Sequence, residues 1–289
     1  MSRGPATGTS ATAMESPEIF DRAARRHRRD RAASSYAAHD FLRAAMLDGI
    51  AERLASVKRD FRDVLDLGCF DGSFVPPPDA AVTRIDAGAI FADQAGGIQA
   101  DEDALPVDPA SFDLVVSAGV LDSVNDVPGA LAQIRRALRP DGLFLGAFIG
   151  GQSLVQARAA FREAEADRPA ARFHPMIDVR SAGDLLVRAG FALPVADSET
   201  LNVRYADLFG LIGDLRGMAA SNVLRERVPM TRGTVATAAQ AFTNRADPDG
   251  RVAERFDLIF LTGWAPSPDQ PKPARRGSAT ASLASALGR

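Results

Sequence analysis

Val64-Leu65-Asp66-Leu67-Gly68-Cys69-Phe70-Asp71-Gly72 is the stretch on which the reading of this chain turns. A short apolar run ends in an acid and opens at once into a glycine-bearing turn. That is how a buried parallel strand looks when it runs into a ligand loop. Gly68 and Gly72 permit positive φ and let backbone N–H groups approach a ligand with no Cβ between. Phe70 stands between them and interrupts the pattern.

Downstream, Pro76-Pro77-Pro78 removes donors and fixes φ, so no more than one helical turn is expected there. Val82–Ile85 reads as a second strand closing on Asp86, and the region 90–99 is short and broken by glycine. Phe112–Ser117 is a clear buried strand. Asp126-Val127-Pro128 combines a capping acid with a first-turn proline. The helix it starts is expected to bury Leu131, Ile134 and Leu138 and to stop at Pro140-Asp141-Gly142. Leu143–Ile149 is the next strand. This alternation implies right-handed crossovers and a parallel sheet. Further helices are expected at 152–167, 181–189, 205–219 and about 230–245, the second opened by a Ser181/Asp184 capping box and closed by Gly190. Antiparallel strands are expected at Glu199–Tyr205 and Phe256–Trp264.

Upstream, Ile19–Arg31 carries Arg22, Arg25, Arg26, Arg28, Arg29 and Arg31. A solvated basic face is the expectation for most of them, with an arm that covers the ligand site or meets an acidic partner as the alternative. Ala37–Val57 reads as a helix packing through Phe41, Ala45, Leu47 and Ile50. Residues 1–15 lack aromatic residues and read as disordered. A single domain is assigned to 16–265, with a cofactor half at about 60–150 and a helical substrate or partner lobe at about 150–250. Residues 266–289 read as a tail.

A net charge of −3 gives no support for nucleic-acid binding. One cysteine, Cys69, excludes a disulfide framework and a cysteine zinc cage. His27, His39 and His174 are too scattered for a metal site, and none is assigned. No apolar run approaches the roughly 18 residues of a spanning helix, so a soluble protein without a transmembrane segment is expected.

Ligands of open parallel sheets lie beyond the carboxyl ends of the strands. Asp66, Asp86 and Asp101 fall at such ends, and Ser117 opens the loop after the fourth strand. Each has a plainer reading. Asp66 could staple its own turn, Asp86 could be a turn residue, and Asp101-Glu102-Asp103 could be a solvated acidic turn.

The Asp66–Gly72 stretch resembles the first motif of S-adenosylmethionine-dependent methyltransferases with a Rossmann-like fold, usually Asp-x-Gly-x-Gly-x-Gly. Asp66, Gly68 and Gly72 match, and Phe70 replaces the middle glycine. The resemblance implies an α/β fold with a mostly parallel seven-stranded sheet and helices on both faces. It also implies S-adenosylmethionine at Asp66, Gly68, Phe70, Gly72, Asp86, Asp101 and Ser117, with Asp86 on the ribose hydroxyls and Asp101 on the adenine. Asp122-Ser123 stands where many relatives carry His-Trp. Phe70 predicts weak binding.

Other segments resemble a narrower family. They are Phe20-Asp21-Arg22, Val124-Asn125-Asp126-Val127-Pro128, Leu138–Gly142, Asp214-Leu215-Arg216-Gly217-Met218 with Ser221-Asn222, Thr262–Ala265 and Arg276–Ala279. They are similar to the bacterial and mitochondrial complex I assembly factor of methyltransferase fold, described as an arginine hydroxylase. That family is in turn similar to the malonyl-carrier-protein methyltransferase of biotin synthesis. The resemblance implies action on an arginine of a complex I iron–sulfur subunit, in a bacterial cytoplasm or a mitochondrial matrix. Two alternatives stand beside it: a malonyl-carrier-protein methyltransferase, and a non-catalytic assembly chaperone on a degenerate scaffold. No catalytic residue is assigned. The 205–233 segment is expected to recognise a protein partner rather than the cofactor.

Overall fold

The computed structural model describes residues 18–270. The expected disorder of 1–15, most of the expected tail and the Arg276–Ala279 motif lie outside the described residues. The centre is a seven-stranded sheet: β1 (Asp63–Leu67), β2 (Ala81–Asp86), β3 (Ile98–Gln99), β4 (Phe112–Ala118), β5 (Leu138–Gly150), β6 (Ala192–Tyr205) and β7 (Val252–Trp264). Their order is β3-β2-β1-β4-β5-β7-β6. The first five are parallel, and β7 enters antiparallel between β5 and β6.

The strands read as apolar runs because both faces are covered. Side chains alternate between two cores, as the two-residue period of a strand requires. Val64, Leu114, Val116 and Leu145 face a core closed by α2 (Phe41–Ala55), α5 (Val155–Ala164), α7 (Leu208–Gly217) and α8 (Arg232–Thr243). Leu65, Leu67, Val115 and Phe144 face the other, closed by α4 (Val127–Ala137) and α6 (Val179–Ala189). Each fully buried side chain of this kind contributes roughly 1.5–3 kcal/mol. The remaining helices are α1 (Arg22–Ala32) and the short α3 (Ala89–Gln94); as the prolines dictate, none forms between Phe70 and Ala80.

Several sequence expectations need correction. Leu138 ends α4 but belongs to β5, where it pairs with Phe112, so Pro140-Asp141-Gly142 lies within the strand at an irregularity rather than ahead of it. The cap of α6 is Asp178, whose carboxylate accepts from the Ser181 N–H at 2.9 Å. Ser181 therefore receives a cap rather than supplying one; Gly190 does close the helix, at φ +82°. Helix α2 starts at Phe41 and buries Leu42, Met46, Gly49 and Ile50; of the expected stripe Ile50 is fully buried, while Phe41, Ala45 and Leu47 pack half-buried against the same core. Gly49 is required there because a Cβ would stand 2.6 Å from the Phe260 ring. β6 begins at Ala192, seven residues before the expected start at Glu199, because β7 offers a full-length partner.

Candidate functional site

The arginines of α1 overturn the solvated-face expectation. Arg22, Arg25, Arg26 and Arg29 recur at helical spacing, so one face of α1 presents a row of guanidinium groups. That face meets the acids at the carboxyl ends of β2 and β3. Arg29 pairs with Asp86 through both nitrogens of one edge, its Nε donating to Oδ1 at 2.8 Å. Arg25 grips Glu102 at 2.7 and 2.8 Å and donates to the Ser123 hydroxyl. Arg22 holds Asp103 at 2.6 and 2.7 Å, and Arg26 reaches Asp101 at 2.6 Å. The acidic turn is thus no solvated feature: Asp101 is 8% and Glu102 1% exposed.

Several family-like segments hold α1 in place. The Phe20 N–H donates to Asn125 Oδ1 at 2.7 Å, and the Asn125 amide returns a bond to the Phe20 carbonyl. Asp21 caps α1, pairs with Arg227, and donates its own N–H to the Val223 carbonyl.

Beneath α1 the glycine turn has the backbone that sequence foresaw and a side chain that fills it. Gly68 and Gly72 both sit at φ +76°, and Phe70 is forced to +48°, where only glycine is unstrained. A Cβ on Gly68 would stand 2.3 Å from Val120. The Phe70 ring takes the Arg29 guanidinium 3.9 Å from its centroid. It stacks on Tyr36 at 4.8 Å and meets Phe91 edge-on at 5.2 Å.

The four polar residues among the seven expected cofactor residues fall into two groups. Asp86 is saturated: besides Arg29 it accepts from the N–H groups of Phe70 (2.9 Å) and Gly88 (2.7 Å), and these donors hold its pKa below the ordinary carboxylate value against burial. Asp101 is likewise engaged. Asp66 and Ser117 are the reverse. Both are fully buried, and neither the Asp66 carboxylate nor the Ser117 hydroxyl has a hydrogen-bond partner. Asp66 therefore staples nothing; its nearest cation, Arg43, stays 3.7 Å away, and burial pushes its pKa up to about 6.

What remains beside Phe70 is a hollow of about 40 Å³. A small-molecule site usually offers roughly 300 Å³ or more. In this arrangement the residues do not fit S-adenosylmethionine, because α1 occupies the carboxylates a nucleoside would need.

A second pocket, of about 480 Å³, adjoins the first and shares Asp122, Ile149, His174 and Ala220 with it. Leu154, Phe161, Met176, Ile212 and Leu215 give it an apolar body. Asp122 lines both hollows; burial pushes its pKa up to about 6 despite Arg25 nearby. His174 accepts from the Val223 N–H at 3.0 Å and is held neutral, down to about 4, by burial and then by Arg25 and Arg28. Sequence did not single out Asp122 beyond its place in the post-β4 loop; its replacement of the usual histidine was the available signal.

The 205–233 segment, although far along the chain from the glycine turn, folds back against it. Met218, Ala219, Ala220 and Val223 wall the hollow beside Phe70. Asp214 binds His39 Nδ1 at 2.8 Å, and Gly217 lies so close beneath the same ring that a Cβ would meet it at 2.1 Å. Arg216 is left exposed.

Comparison with known proteins agrees with this layout. A family model described as a methyltransferase domain matches residues 36–194, more than half of the chain. The fold is shared with the YcgJ protein of Bacillus subtilis, at a TM-score of 0.51 and 14% identity over 78% of this chain and 99% of that one. The matched family model thus places the chain in the methyltransferase superfamily. The zebrafish (Danio rerio) mitochondrial arginine-hydroxylase NDUFAF5 is 33% identical over 96% of this chain and 92% of its own length. The chain belongs to the NDUFAF5 family. A malonyl-[acyl-carrier protein] O-methyltransferase of Methylovorus is also related, at 32% identity over 86% of this chain and 90% of its own.

Proposed function

We propose that this chain acts on a protein partner during assembly of respiratory complex I, and that the group it works on is an arginine of an iron–sulfur subunit. The observation that carries the reading is the reach of the relatedness to the arginine hydroxylase. It covers 96% of the chain, well beyond the matched domain at 36–194, and so takes in the α1 arm and the Asp214–Asn222 segment. On this reading Asp66, Gly68, Phe70, Gly72, Asp86, Asp101 and Ser117 remain the groups toward which S-adenosylmethionine would come, after α1 has moved.

The Arg29–Asp86 pair favours a second reading, an assembly chaperone that binds without turnover. Deleting the gene, scoring complex I assembly, and weighing the iron–sulfur subunits by mass spectrometry separates the two. Failed assembly with a lost arginine modification supports the first. Failed assembly with no modification in the parent strain supports the chaperone. Normal assembly with biotin auxotrophy would transfer the chain to the malonyl-carrier-protein methyltransferases. Complementation with Arg216→Ala is expected to restore assembly poorly, since Arg216 is exposed beside the pocket and ion-paired to nothing among the described residues.

A further inference from the structure

We infer that Asp122 is the anchor for a substrate guanidinium, and that the arginines at the mouth of the same pocket select an arginine set among acidic residues. The inference rests on the proposed function and adds to it a recognition residue and a sequence context.

Asp122 lies on the wall common to the small hollow beside Phe70 and the 480 Å³ pocket, where a group entering through the larger space would meet the cofactor side of the sheet. Its immediate cationic neighbours are already matched. Arg25 is held by both oxygens of Glu102, and Arg29 by both oxygens of Asp86. Beyond its own backbone N–H, no donor among the described residues satisfies the Asp122 carboxylate. The neutral His174 on the same wall spends its Nε2 as the acceptor from Val223. A carboxylate left this way in an apolar pocket is costly unless a cation pairs with it. A planar guanidinium, which carries its charge with weak hydration and can bond through two parallel N–H groups, suits it better than an ammonium. The apolar walls of Leu154, Phe161, Ile212 and Leu215 would then cover the methylene stem.

The mouth has the opposite sign. Arg28 and Arg216 line both this pocket and a neighbouring cleft that adds His27 and Arg31. Among the described residues none of the three arginines is ion-paired, whereas Arg172 and Arg227, also on the pocket, are held by Glu165 and Asp21. Arg28 has its pKa lowered by burial and by the repulsion of Arg227, Arg31 and Arg216. A bare arginine would be repelled at this entrance. An arginine flanked by aspartate or glutamate would be drawn in, its neighbours pairing with Arg28, Arg31 and Arg216 while its own side chain reaches past them.

The test uses the full chain and short labelled peptides followed by fluorescence anisotropy. One peptide has a central arginine between aspartates. A second replaces that arginine by citrulline, which has the same shape without the charge, and a third replaces the aspartates by serines. The unmodified protein is expected to bind the first at least about tenfold more tightly than either of the others. Asp122→Asn should erase the preference for arginine over citrulline and keep the preference for acidic flanks. Arg28→Ala with Arg216→Ala should do the reverse. Equal binding of the arginine and citrulline peptides by the unmodified protein, or no binding of any peptide, overturns the inference without reliance on a variant that must fold. These readings involve binding alone. Charge discrimination that depends on Asp122, in a protein whose deletion leaves complex I intact, would keep the inference and discard the proposed function. Its absence in a protein whose loss blocks assembly would do the opposite.

Discussion

The hollow beside Phe70 and the pocket under α7 share a wall, yet one is closed by matched charges and the other edged by unmatched ones. On the first side, Asp86, Asp101, Glu102 and Asp103 each have an arginine of α1 within hydrogen-bonding distance. On the second, Arg28, Arg31, Arg216 and Asp122 have no opposite partner among the described residues. Burying an ion pair roughly cancels attraction against desolvation, so α1 gains little net stability from its ladder. What the ladder does achieve is to satisfy acids that would otherwise call for a ligand. Unmatched charges around an apolar pocket leave that demand open. The contrast locates where a ligand must compete with the protein itself and where it need not.

The sharpest way to break the contrast is to remove one charge from each side. Asp86→Ala strands Arg29, which is 3% exposed, and strips acceptors from the Phe70 and Gly88 N–H groups. A loss of about 3–5 kcal/mol is expected in urea unfolding, the cost of a buried charge without its partner. Arg216→Ala, on the exposed side, should change stability by no more than about 0.5 kcal/mol. Similar losses in both would mean that the two regions do not differ as described.

How much of this was legible in the sequence follows from what each feature depends on. The sheet was readable because both faces of β1, β4 and β5 are largely buried, which leaves runs dominated by apolar residues. The glycine turn was readable because positive φ restricts the residue type. The α1 cover was not decided, although the spacing of Arg22, Arg25, Arg26 and Arg29 and the acidic run at 101–103 were both visible. Pairing across 57 to 81 positions of chain is a tertiary fact that neither segment contains. Asp66 misled in the other direction. A carboxylate before a glycine turn suggests backbone hydrogen bonds, but the Gly68 and Cys69 N–H groups are spent on the Ile85 carbonyl.

That orphaned carboxylate gives the next prediction. Asp66 has its pKa pushed up to about 6, so the folded protein holds a proton that the unfolded chain has released between the ordinary 3.8 and about 6. Stability must therefore fall as pH rises through that window, by roughly 3 kcal/mol at about 1.4 kcal/mol per pH unit. Asp66→Asn does not titrate. Relative to the parent it should gain about that much between pH 4 and 7 and nothing further above. Comparing the two proteins at each pH cancels His174, which acts in the opposite sense. A difference that is flat with pH would show that Asp66 is solvated or paired in solution.

Phe70 has two opposed contributions. Substitution by glycine relieves a strained φ worth about 1–3 kcal/mol but deletes a buried ring worth about 3–5 kcal/mol. Phe70→Gly is expected to be less stable by about 2 kcal/mol net, read as a lower melting temperature. A more stable variant would make the ring an intruder rather than a floor.

The smallest effect bears most directly on the closed side. Arg29→Ala removes the guanidinium over Phe70 and returns two acceptor sites on Asp86 to any ligand, while the N–H groups of Phe70 and Gly88 still hold the carboxylate. It should therefore be tolerated far better than Asp86→Ala, although the two substitutions break the same pair. S-adenosylmethionine binding, measured by calorimetry, should be weak in the parent and about tenfold tighter in Arg29→Ala, a gain near 1.4 kcal/mol. Arg26→Ala, which loosens a half-exposed contact to Asp101, should give a smaller gain. Weaker binding in Arg29→Ala would make Arg29 part of the cofactor's own cradle, with the closed form a preorganised site rather than a filled one. Absence of binding in both proteins would leave the glycine turn as scaffold.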